Sequence, residues 1–177
     1  MSLTKYTNDL EKIAGEWIKD VELYSDEQFQ RKPDEHQWSI GQVYVHLIQS
    51  ALNFHIKQIQ QCAENKAMEI NGGKKPPGKI TYFIGVIPPV RVHVPPTPTY
   101  TPAQPVSKQD VVERLHGVIR SVKEIQATAE KASLTQKTAH PGFGYLNARE
   151  WFRLIPMHYH HHRRQQKRLN KFLGVRS

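Results

Sequence analysis

The chain has 177 residues, enough for one domain that can bury roughly 70% of its unfolded surface and so needs no disulfide to fold. Its single cysteine, Cys62, excludes an internal disulfide and a CxxC zinc or redox site, and reads as a packed helix-face residue. The formal charge of +9 admits nucleic acid, an anionic surface or an anionic substrate as partners.

The start, MSLTKYTNDLEK, is polar and has no apolar export core. The most apolar run, Ile80 to Val90, contains two prolines and falls short of the roughly 20 apolar residues that span a membrane. A cytoplasmic protein with no membrane partner is the expectation, and a single domain over residues 1–177.

The first helix is expected from about Thr7 to Tyr24. Leu10, Ile13, Ala14, Trp17, Ile18 and Val21 recur there at helical spacing and make one apolar stripe. A polar connection with Pro33 follows. The second helix opens at Trp38-Ser39. Ser39 is a good N-cap and Gln42 completes a capping box. Its apolar positions include Ile40, Val43, Leu47, Ala51, Phe54 and Ile59, and the pattern carries it to about Ala67.

Residues 71–106 form a long connection. Nine of the twelve prolines lie between Pro76 and Pro105, which argues against a helix there. Tyr82, Phe83, Ile84, Val86 and Ile87 call for burial, so an ordered crossover lying on the other helices is expected. The third helix opens at Ser107, with Asp110 three residues on, and Val111, Leu115, Val118, Val122 and Ile125 form its seam.

A turn with Pro141, Gly142 and Gly144 leads to the fourth helix. Asn147 is its N-cap and Glu150 closes a capping box. The inward stripe reads Trp151, Ile155, His158, His162, Gln165, Leu169, Phe172. Arg149, Arg153, Arg163, Lys167 and Lys171 fall opposite it and read as a solvated outer face. Pro156 should kink this helix, because it removes the bond to the Phe152 carbonyl.

Two histidines therefore occupy core-facing slots. Residues four apart on a helix stand one above the other, so His158 and His162 can share one metal ion. His160 points outward and His161 lies on a flank, at about 100° per residue. Core-facing imidazoles are costly unless something satisfies their nitrogens. A metal would, and Gln165 could orient His162 from behind. A third ligand must come from another helix. His46 is the best candidate, at the edge of the second helix's stripe. Spacing alone leaves His36, His55, His93, His116 and His140 open.

Trp38-Ser39-Ile40-Gly41-Gln42-Val43-Tyr44-Val45-His46-Leu47 resembles the tryptophan-serine helix start and His-Leu pair of DinB/YfiT-like proteins. His140-Pro141-Gly142-Phe143-Gly144 with Trp151 resembles that family's HPxxG turn and early helix tryptophan. His158, His162 and Gln165 resemble its closing HxxxHxxQ element. The resemblance spans the whole chain. It implies an all-α fold, a four-helix bundle run up-down-down-up with a long crossover between helices 2 and 3. It implies one divalent metal, zinc or nickel, on His46, His158 and His162. Gln165 and His140 are expected behind the ligands. Characterised relatives include transferases and isomerases that use low-molecular-weight thiols.

Three neutral ligands leave a divalent ion its charge and an open position, so thiol transfer and hydrolysis of a small molecule are both within reach. The sequence has no HExxH, GxSxG or P-loop. His140 is a candidate acid/base, although a structural role at the turn suits it better. The expected partner is a small molecule, such as a thiol, with a homodimer left open. The alternatives are an inert metal-binding bundle and a nucleic-acid-binding protein. The second lacks any recognisable motif or interleaved aromatics.

Overall fold

The computed structural model describes residues 2–64, 66–69, 72–89 and 101–175. Helix α1, Thr4–Asp20, ends in a 3-10 turn, Val21–Leu23. A short helix α2, Asp26–Gln30, stands where a plain polar connection was expected. Ser25 and Gln28 form its capping box, and it buries Phe29.

Helix α3, Ile40–Gln49, opens with the expected box: Gln42 N–H donates to Ser39 Oγ at 3.1 Å, and Ser39 N–H donates to Gln42 Oε1 at 3.0 Å. The chain then widens into a π-helical stretch, Ser50–His55, before helix α4, Ile56–Ala63. The helical run thus stops four residues short of Ala67. Met68–Glu69 instead form strand β1.

The crossover contains helix α5, Pro76–Ile84, which corrects the expectation of no helix there. Pro76 and Pro77 sit in its first turn, where a missing N–H costs nothing and a fixed φ helps. Gly85 ends it at φ 79. Of the apolar residues expected to be buried, Tyr82 is, while Phe83 is 91% exposed and Ile84 and Val86 are also exposed. Part of the crossover, 71 and 90–100, lies outside the described residues, as does His93.

Helix α6, Lys108–Lys131, starts at Ser107, whose Oγ accepts the Asp110 N–H. Strands β2, Gln136–His140, and β3, Gly144–Asn147, form an antiparallel hairpin around the Pro141–Gly142 turn. With β1 against β2 they make a small three-stranded sheet. The all-α expectation therefore holds for the body of the fold and misses this sheet. Gly144 has φ +87, and a Cβ there would stand 2.6 Å from Lys75 N. Only glycine lets the crossover cross the hairpin this closely.

Helix α7, Ala148–Leu173, carries the Asn147–Glu150 capping box and runs unbroken past Pro156. Helix α1 packs on α6 and α7; α3 and α4 pack on the same pair from the other side. The shared core includes Trp17, Tyr44, Leu47, Val118, Trp151 and Ile155. Phe172, expected on the inward stripe, is 41% exposed and the buried position is Leu173. Among the described residues no helix is long and apolar enough to cross a membrane.

Three of the five basic residues assigned to a solvated face have structural partners. Arg149 donates to Glu130 O, and Arg153 donates to Tyr82 O at 2.7 Å and lies over the Tyr82 ring. Arg163 pairs with Asp20 and Glu16 of α1 and lies over the Trp17 ring. Lys167 and Lys171 are exposed as expected.

Candidate metal centre

Helix α7 presents His158 and His162 on one stripe, one turn apart. Helix α3, positioned by its capping box, brings His46 to face them. His158 Nε2 lies 3.2 Å from His46 Nε2 and 3.0 Å from His162 Nε2. All three candidate ligand atoms lie within 4.8 Å of one another. A tetrahedral ion with bonds of about 2.0–2.1 Å would set its ligand nitrogens about 3.3 Å apart. The two separations at His158 are close to that.

The nitrogens do not satisfy one another. Each nitrogen of a neutral imidazole carries either a proton or a lone pair. His162 Nδ1 stands 2.8 Å from Gln165 Oε1. That oxygen only accepts, so the His162 proton is on Nδ1 and its Nε2 offers a lone pair. His158 Nε2 has one proton at most, or one lone pair, yet it faces two ring nitrogens. One of the two contacts is therefore always mismatched. A cation held by these rings would turn three lone pairs into three bonds.

Burial keeps the rings neutral, the form that ligates. It pushes His46 down to about 4 and His162 to about 3, with neighbouring imidazoles adding to the effect. His158 is held well below the usual histidine range by the same causes. Around the cluster, the Trp38 ring packs 5.0 Å from that of His46 and the His161 ring 5.3 Å from that of His162. Ser50 Oγ stands 3.5 Å from His46 Nδ1. His160 faces outward and pairs with Asp9, as its phase required.

His140 is not part of the cluster. Its Nδ1 accepts the N–H groups of Gly142 and Phe143 at 3.0 and 3.1 Å, and its ring stacks on Phe143. That is a turn-holding role. His36 and His116 are exposed. His55 is different. It is 4% exposed, its ring centroid lies 5.4 Å from that of His158, and its Nδ1 is buried with no hydrogen-bond partner among the described residues. The sequence kept His55 open as a third ligand but carried no signal that it would pack behind one.

A family model of the DinB superfamily matches residues 9–166. No curated protein matches the chain.

Proposed function

The chain belongs to the DinB superfamily, and from that premise we propose that it is a metal-dependent enzyme. One divalent ion, zinc or nickel, is held by His46, His158 and His162. The reaction is transfer of a low-molecular-weight thiol to an electrophile, with hydrolysis of a small molecule as the competing outcome. The observation that carries this reading is the convergence of three imidazole nitrogens that cannot satisfy one another.

A divalent ion on His46, His158 and His162 would supply Lewis acidity at its remaining position and lower the pKa of a thiol there below its free value near 8.5. The chain's own residues prepare that position. Gln165 holds the His162 proton on Nδ1, so Nε2 faces the centre. Trp38 and His161 flank the ligand rings. Cys62 is a poor nucleophile for this chemistry. It is fully buried, it packs on Thr138 and Leu146 of the hairpin, and burial pushes its thiol up. The thiol must therefore be an external cosubstrate.

The same reading includes the fold as a single up-down-down-up four-helix bundle over residues 1–177. It sets aside nucleic acid, because Arg149, Arg153 and Arg163 are spent on helix packing rather than displayed.

The test is metal analysis of untagged protein, followed by incubation with a panel of small thiols and a reactive electrophile. The proposal expects one divalent ion per chain and a rate that His46→Ala abolishes. A wild type that matches His46→Ala with every thiol and with water would leave an inert metal-binding bundle.

A further inference from the structure

If His158 holds a cation through Nε2, its Nδ1 must carry the proton. A ligating histidine almost always donates that second N–H to an acceptor, which fixes the ring and raises its basicity. Gln165 Oε1 serves His162 in this way, and Ser50 Oγ stands beside His46 Nδ1. His158 Nδ1 is buried and has no hydrogen-bond partner among the described residues.

His55 packs against that same ring. The two rings are 5.4 Å apart between centroids and inclined at 76°. Trp151 and Phe54 enclose His55 further, at 5.9 and 5.7 Å. Its own Nδ1 is likewise buried and unpartnered. One nitrogen must give a proton and the other is free to accept one. Each, left alone, bears the cost of a buried polar atom without a hydrogen bond.

The backbone explains how His55 gets there. It follows His46 by nine positions. At about 100° per residue a regular helix would put it about 180° away, on the opposite face. The π-helical stretch Ser50–His55 intervenes. Its i→i+5 turns rotate the chain less per residue, which brings His55 round toward His158. Such stretches are rare and concentrate at functional sites.

We propose that His55 is the positioning residue for His158: in the metal-loaded protein its Nδ1 accepts the His158 Nδ1–H, either after a small ring rotation or through one buried water. The inference rests on the metal reading above. A water there would have polar partners on both sides. His55 would carry its own proton on Nε2. It touches neither metal nor substrate and acts only by fixing the orientation and basicity of His158.

The competing account is that His55 merely fills space. Phenylalanine keeps that space and lacks the acceptor, whereas glutamine keeps an acceptor. Zinc affinity of the full chain would be measured by competition with a chromogenic chelator for wild type, His55→Phe and His55→Gln. Thermal unfolding of each metal-free protein would report on packing. We expect His55→Phe to weaken zinc by about 10–100-fold while its metal-free form unfolds no earlier than wild type. His55→Gln should stay within about threefold of wild type. Nitrogen-15 imidazole spectra of the zinc-loaded wild type should show a slowly exchanging His158 Nδ1–H.

Wild-type zinc affinity in His55→Phe, or equal losses in both variants, would overturn the proposal. Should His55→Phe not fold, the wild-type spectrum decides, and a His158 Nδ1–H in fast exchange with water sinks it. A wild type that binds neither zinc nor nickel would instead overturn the metal reading itself, and this inference with it.

Discussion

Gln165 Oε1 lies 2.8 Å from His162 Nδ1, three residues earlier on the same helix. The amide oxygen can only accept, so it selects the tautomer whose Nε2 is free for the cluster. Gln165→Leu removes that selection and keeps roughly the same bulk. Metal affinity should fall by about 10–100-fold, as read by chelator competition, with little change in metal-free stability. An unchanged affinity would mean that His162 needs no orienting partner.

Metal removal should destabilise the protein, since a ligand that binds only the folded state adds stability by mass action. At a free metal concentration about 1,000 times Kd the gain is about 4 kcal/mol. For a domain of this size that is a rise of roughly 8–16 °C, at about 2–4 °C per kcal/mol. Calorimetry with and without chelator measures it. The double variant His158→Ala/His162→Ala should show no metal-dependent shift and no bound metal.

Helix α7 also yields a stability prediction. Arg163 bridges to Asp20 and Glu16 of α1 from a side chain that is only 26% exposed. Arg163→Glu would set three carboxylates against one another and leave the Trp17 face uncovered. A loss of about 1–3 kcal/mol is expected. Lys167→Glu, on the exposed face, should stay within about 0.5 kcal/mol. Chemical denaturation of the two variants decides, and equal effects would contradict the packing of α7 on α1.

Local chemistry made much of this fold legible in the sequence. Ser39 with Gln42, and Asn147 with Glu150, satisfy N–H groups three residues away, so each helix start is written in a four-residue window. The HxxxH phase is equally local. What escaped depends on partners far along the chain. Strand β2, Gln136–His140, is short and mostly polar, and it is a strand because β3 and β1 flank it. Helix α5 did carry a local signal, since Pro76 and Pro77 at its start and Gly85 past its end follow the asymmetry of helix termini. The density of prolines from Pro76 to Pro105 masks it. His46 entered as a ligand through family resemblance, because its own periodicity placed it only at the edge of a stripe. His55 could not be placed from the sequence, because a π-helical stretch changes the helical phase on which the reading relied.

The last prediction concerns pH and the hairpin turn. His140 Nδ1 accepts two backbone N–H groups, from Gly142 and Phe143. A proton on that nitrogen would eject both. Burial already pushes this imidazole down to about 4 from its usual 6.5. Between those two values the unfolded chain binds more protons at His140 than the folded one. Stability must then rise with pH through that window. The contribution is therefore complete above about pH 6.5 and is lost progressively as pH falls toward 4. His140→Asn keeps a side-chain acceptor and cannot titrate. Urea denaturation of both proteins, held metal-free with chelator, would be compared at pH 7.5 and pH 5. The wild type should lose more stability than the variant over that interval, with the difference arising from this turn alone, because the other buried histidines are common to both. Parallel loss in the two proteins would show that His140 does not hold the turn as a neutral acceptor.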